Sequence, residues 1–171
     1  MGGKYQRPFE DMTDAIRNMI KQIQLETDVS VTESEDGVAI KSRGTLFFDS
    51  GSATLSPAAS DLIDRLSEIL VREAKGMKIY VEGHTDDNPI STAQYPSNWE
   101  LSSARAGAIV RVLETKGFDR VRLRPLGLAD TESLVPNRTP SGEAIPLNQA
   151  ENRRILIRIQ KDLSASNKPS P

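Results

Sequence analysis

An acid and an arginine stand where they can act together. Asp86 sits in His84-Thr85-Asp86-Asp87, a polar stretch that follows an apolar run. Asn98, Leu101 and Arg105 are spaced i, i+3, i+7, which puts them on one face of a helix. Arg105 faces the same direction as the start of that helix, so it can reach the loop that carries Asp86. An acid and a guanidinium converging on one cleft suit a zwitterion, the acid for an ammonium and the guanidinium for a carboxylate. The same two residues can also form a plain salt bridge, and spacing alone does not separate the two readings. A third polar segment, Phe48-Asp49-Ser50-Gly51-Ser52, interrupts the chain just after another apolar run. All three segments fall at junctions between elements, where binding groups collect.

Little else in the chain suggests chemistry on a substrate. His84 is the only histidine, and no G-x-S-x-G motif offers it a nucleophile on a sharp turn. One histidine with scattered carboxylates is too few strong ligands for a zinc site. Glu82, Asp86 and Asp87 could form a carboxylate cluster, although most such clusters are solvated loop charges. Neither a G-x-x-x-x-G-K-[ST] loop nor a G-x-G-x-x-G turn after a strand is present. The absence of cysteine excludes disulfides, thiol catalysis and zinc–thiolate sites. With 22 basic and 24 acidic residues the net charge is −2, so no broad basic surface awaits nucleic acid. No catalytic residue, metal or cofactor is expected, and binding is the favoured activity.

The elements that must position these groups can be read from periodicity. Phe9, Met12, Ile16, Met19, Ile20 and Ile23 recur at three- and four-residue spacing, which predicts a helix to about Leu25. It reads as a helix packed on the domain, or alternatively as a dimerisation or gating helix. Val29 to Ile40 reads as a hairpin turning at Glu35-Asp36-Gly37. Leu46 to Phe48 read as a buried strand end. Ser56-Pro57 opens a helix carrying Leu62, Ile63, Leu66, Ile69 and Leu70, with Gly76 placed to close it. Met77 to Val81 reads as a strand. Ser97 and Glu100 have capping-box spacing before a helix ending near Gly117, and Trp99 reads as a packing anchor against the loop before it. Val121 to Leu126 and Ile155 to Ile159 read as strands, with residues 130–150 between them as a long surface loop and 164–171 as a disordered tail.

Strands alternating with helices predict an α/β layer with helices against one sheet. The longest apolar runs fall far short of the roughly 20 residues that a membrane helix needs. Met1-Gly2-Gly3-Lys4 reads as an expression scar, so the chain is expected to be a fragment of a longer protein.

Four segments in order carry a resemblance. They are Phe48-Asp49-Ser50-Gly51-Ser52-Ala53-Thr54-Leu55, Gly83-His84-Thr85-Asp86, Asn98-x-x-Leu101-Ser102-x-x-Arg105-Ala106, and Asn152-Arg153-Arg154. Over about residues 44–161 the chain resembles the OmpA-like peptidoglycan-binding domain. Tyr95 through Ser102 and His84 through Ile90 look like the version found in flagellar motor stator subunits of the MotB or PomB kind. The resemblance implies an α/β (α+β) fold, a β-α-β-α-β-β two-layer sandwich with a mixed sheet and helices on one face, preceded by a helix and a hairpin. Residues 1–27 would be a tag remnant and linker helix, 28–161 the OmpA-like domain, and 162–171 a tail.

The implied ligand is the diaminopimelate-containing stem peptide of peptidoglycan, with Asp86 on its ammonium and Arg105 on its carboxylate. Asp49, Thr85, Leu101, Ser102 and Arg153 would complete the site. The implied role is a non-enzymatic anchor in the periplasm, fixing an ion-driven inner-membrane complex to the cell wall. Such a subunit is expected to form a homodimer and to join a stator A subunit through a membrane segment, with basal-body ring proteins as further partners. A peptidoglycan-associated lipoprotein or another OmpA-type anchor is the alternative. The segment at 136–149 is longer than in many relatives, and the membrane span with its ion-carrying aspartate is not in this sequence.

Overall fold

Val38 and Ile40 on one strand and Ile155, Ile157 and Ile159 on another recur at every second position, and this alternation becomes the inner face of a sheet. The structure, a computed structural model, describes residues 7–163. The opening residues read as a scar and the tail read as disordered lie outside that range. In chain order the elements are α1 (Glu10–Gln22), β1 (Val29–Glu33), β2 (Gly37–Arg43), α2 (Gly44–Phe47), α3 (Pro57–Glu73), β3 (Lys78–His84), α4 (Asn98–Thr115), β4 (Leu123–Gly127), α5 (Pro146–Asn152) and β5 (Arg154–Gln160).

The five strands form one mixed sheet in the order β1-β2-β5-β3-β4. Only β3 and β4 run parallel, as a crossover through α4 requires. The register aligns Val38, Ile159, Ile79 and Leu123 in one row and Ile40, Ile157 and Val81 in the next. These rows meet Leu62, Ile63, Leu66 and Leu70 of α3 and Ile109 and Leu113 of α4 in a single core. The expected mixed sheet with helices against it is therefore present.

Two close approaches dictate glycine. A Cβ on Gly83 in β3 would stand 2.4 Å from the Ser102 carbonyl oxygen, and one on Gly127 in β4 would stand 2.4 Å from the Ser103 backbone nitrogen. Helix α4 can thus lie directly on the ends of β3 and β4, and this brings its first turns beside the loop after β3.

Helix α1 shares the same core. Met12, Ile16, Met19 and Ile20 are buried in it, with Ile16 fully enclosed. This is the packed-helix arrangement that its stripe predicts.

Four local expectations are corrected. Leu46–Phe48 is not a strand end: Gly44–Phe47 forms a single helical turn, because Gly44 sits against the Arg153 carbonyl and the chain must turn to bury Phe47 and Phe48 together. The strand expected from Val121 begins at Leu123, since Asp119 accepts from the Val121 amide and tightens 120–122 into a 3-10 turn. Residues 130–150 are not all loop. Pro146 opens the short helix α5, which at seven residues is too brief to show a helical period. Finally, Trp99 does not pin the 88–97 loop: it is 52% exposed, while Tyr95 is the buried aromatic of that loop.

Candidate functional site

Three junctions meet at one end of the sheet. The turn after α2 supplies Phe48, Ser50 and Gly51; the loop after β3 supplies Thr85, Asp86, Asn88 and Ile90; the first two turns of α4 supply Asn98, Leu101 and Arg105. Arg153, between α5 and β5, closes the remaining side. Together they line an open cleft of about 370 Å³.

Arg105 forms the floor of one wall. It is only 7% exposed, yet among the described residues its hydrogen bonds go to carbonyls and not to a carboxylate. Its Nε donates to the Ser52 carbonyl at 2.8 Å and its Nη2 to the Asp49 carbonyl at 3.1 Å. The guanidinium lies over the Phe48 ring, 5.1 Å from its centroid. Burial pushes its pKa down and the neighbouring Arg153 adds to this, while Tyr95 and Asp86 oppose it. A buried guanidinium with no anionic partner carries a standing electrostatic demand for one.

Asp86 is held on the other wall. Its Oδ1 accepts from the Asn88 amide at 2.9 Å, and its Oδ2 accepts from Arg153 Nη1. The loop is anchored to the scaffold by the Thr85 amide, which donates to the Ala129 carbonyl at 2.8 Å, and by Thr85 Oγ1, which donates to the Asp86 carbonyl at 2.9 Å. The salt bridge left open by spacing, Asp86 to Arg105, is not the one that forms.

The expected site residues thus fall into two groups. Thr85, Asp86, Leu101, Arg105 and Arg153 line the cleft. Asp49 presents its backbone carbonyl to Arg105, with its exposed side chain outside the lining. Ser102 is fully buried behind the wall, where its hydroxyl accepts from the Ala129 amide at 3.1 Å and donates to the Trp99 carbonyl at 3.2 Å. Sequence reasoning missed Phe48 as a platform for Arg105 and Asn88 as a lining residue, although both lie inside segments it singled out. It gave no signal for Gln149, whose side chain reaches Asp87 from α5.

Ser97 caps α4 by accepting from the Trp99 amide at 3.2 Å, and its hydroxyl also donates to the Glu100 carboxylate. The strict capping box is therefore altered, with Glu100 meeting the serine side chain and its pKa lowered by that bond.

A second polar cluster lies on the outer face of the sheet. Ligand atoms of Glu82, His84 and Glu132 lie within 4.8 Å of one another. Glu82 already accepts from His84 Nε2 at 3.2 Å and from Arg158 Nε at 2.5 Å, and Arg154 donates to the Glu132 carbonyl at 2.8 Å. The Glu82 carboxylate is therefore already paired with a guanidinium and bonded to His84, and no cation is needed to satisfy it. Burial pushes Glu82 up, but the bonds from His84 and Arg158 outweigh it and hold the carboxyl below its ordinary range.

The sequence pattern of the OmpA family matches residues 47–145, a span that contains both the Asp86 loop and the Arg105 helix. The chain belongs to the OmpA family. The motility protein B of Bacillus subtilis is 28% identical over 90% of this chain and 57% of its own length. A solved cell wall anchor of the type VI secretion system from Pseudomonas aeruginosa is 30% identical, with a TM-score of 0.74, over 92% of this chain and all of that one. A MotB-like protein from Desulfovibrio vulgaris superposes with a TM-score of 0.77 over 90% of this chain and 94% of that one; at 22% identity it speaks for the fold alone. The chain spans 56% to 62% of the length of the first curated relatives. No described helix is long and apolar enough to cross a membrane.

Proposed function

We propose that the cleft binds the stem peptide of peptidoglycan and that the chain is a non-enzymatic cell-wall anchor. The observation that carries the reading is Arg105, a buried guanidinium satisfied only by carbonyls and open to a cleft whose opposite wall holds Asp86. Such a pair accepts the two charged groups on one end of diaminopimelate, carboxylate on Arg105 and ammonium on Asp86. Leu101 and Ile90 give the aliphatic stem an apolar contact between them. Thr85 and Ser102 act by holding the walls, and Asp49 by the carbonyl that aims Arg105. Within this reading the chain is the periplasmic part of a flagellar stator B subunit, fixing an ion-driven inner-membrane complex to the wall. Its likeness to motility protein B supports that role. Dimerisation, pairing with a stator A subunit and contact with basal-body rings belong to the same proposal.

A second reading has its own support. The full-length match to the wall anchor of a secretion system favours the same module serving a different envelope machine. Wall binding is common to both. Sedimentation with purified peptidoglycan sacculi tests it: the chain should pellet with sacculi, and Asp86→Ala and Arg105→Ala should stay in the supernatant with native circular dichroism. Equal sedimentation of parent and both folded variants would remove the assignment of the cleft.

A further inference from the structure

The segment from Pro136 to Gln149 touches the back of the Asp86 loop and lines no part of the cleft. Arg138 is its outstanding contact. Arg138 Nε donates to Asp87 Oδ2 at 2.6 Å, and Arg138 Nη2 donates to Asn88 Oδ1 at 3.2 Å. Gln149, on α5, grips the same two side chains, with its Nε2 3.0 Å from Asp87 Oδ1 and 3.3 Å from Asn88 Oδ1. Arg138 and Gln149 together hold Asp87, and its carboxyl stays below the ordinary range despite partial burial because both donate to it.

Asn88 is the hub that passes this hold forward. Its amide donates to Asp86 Oδ1 at 2.9 Å, and its carbonyl accepts from Asn98 Nδ2 at 2.8 Å. Three polar groups of Asn88 are thus committed: its backbone amide to the acid of the cleft, its carbonyl to the helix carrying Arg105, and its side-chain oxygen to the 136–149 segment. The segment is itself pinned. Asn152 accepts from the Leu134 and Val135 amides and donates to the Val135 carbonyl and the Asn137 side chain. The next residue, Arg153, pairs directly with Asp86.

We infer that Arg138 is a positioning residue of the binding cleft, which sets affinity for the ligand through Asn88 and Asp86 without touching it. This rests on the reading of the cleft as a stem-peptide site. A planar fork bridging the Asp87 carboxylate and the Asn88 amide is a geometry that arginine supplies and lysine does not. Without it, the Asn88 side chain keeps only the longer 3.3 Å bond from Gln149, and the amide that aims one Asp86 oxygen is held less firmly.

The test uses the whole chain and a soluble stem tripeptide ending in meso-diaminopimelate, titrated calorimetrically. Arg138→Ala should weaken binding by about 3- to 30-fold, the scale of residues that act through others. Arg138→Lys should remain weakened, because one ammonium cannot span both partners. Leu147→Ser, at an 82% exposed position of α5, should bind as the parent does. Amide exchange at Asn88 should quicken in Arg138→Ala while the melting temperature and the exchange of α3 stay unchanged. A plain stabilising residue would instead lower the melting temperature and quicken exchange throughout. If the parent binds the peptide and Arg138→Ala binds it equally, or if Arg138→Lys restores full affinity, the positioning role is overturned and the cleft assignment stands. If the parent binds no peptide, the cleft assignment falls and this inference falls with it.

Discussion

Arg153, and not Arg105, closes the ion pair on the Asp86 carboxylate. Arg153 pairs with the acid, while the hydrogen bonds of Arg105 among the described residues go to carbonyls, which in the proposed reading leaves Arg105 for the carboxylate of the ligand. The Arg153 side chain is about a third exposed, so its pair with Asp86 is partly screened.

Arg153→Ala should accordingly weaken binding to sacculi by about 1 kcal/mol or less, the scale of partly exposed pairs. The Asn88 amide still holds Asp86 in that variant. A loss as complete as that of Arg105→Ala would make Arg153 a direct ligand contact of equal weight.

Trp99 and Tyr95 offer a contrast within one turn of chain. Trp99 is mostly exposed, so Trp99→Ala should change stability by no more than about 0.5 kcal/mol. Tyr95 is buried on a backbone tied to Thr92 by three hydrogen bonds, and loss of its ring in Tyr95→Ala should cost about 3 kcal/mol or more. Urea unfolding of the two variants decides this, and a reversed order would restore Trp99 as the anchor of the loop.

These cases mark how far the residues could be read in advance. The strands β2, β3 and β5 and the helices α3 and α4 were legible because burial on one face imposes a period that survives in the sequence, as with Ile155, Ile157 and Ile159. The cleft was legible in its loops because Asp86 and Arg105 carry opposite charges at element junctions. What stayed hidden was decided by tertiary contact. Nothing in the spacing says that Arg153 reaches Asp86 across 67 positions, that Gln149 grips Asp87, or that Trp99 turns outward while Tyr95 turns in. The helical turn at Gly44–Phe47 was hidden for the same reason, since three adjacent apolar residues carry no period at all.

The outer-face cluster predicts a pH dependence. Glu82 has a folded pKa below its ordinary value, so its contribution to stability is fully present above the unfolded carboxyl pKa of about 4.3 and is lost as pH falls through the lower folded value. Glu82→Gln should therefore cost about 1.5–3 kcal/mol near pH 7 and progressively less below about pH 4. Melting curves of parent and variant should converge in acid, and curves offset equally at every pH would contradict this account of Glu82.

Helix α1 makes a prediction about the region read as a linker. With Ile16 fully buried beside α3, Ile16→Ala should cost about 2–5 kcal/mol. The amides of residues 12–20 should exchange as slowly as those of α4. Fast exchange in α1 with an undisturbed α4 would mean that it docks only marginally, as a gating helix must.

The most direct test of the central claim is calorimetric titration of the chain with a stem tripeptide ending in meso-diaminopimelate, comparing the parent with Asp86→Ala and Arg105→Ala. Removing one partner of a buried charge contact costs about 2–5 kcal/mol, so each variant should lose at least about 30-fold in affinity while keeping native circular dichroism. Undiminished affinity in both folded variants would contradict the placement of the ligand between Asp86 and Arg105.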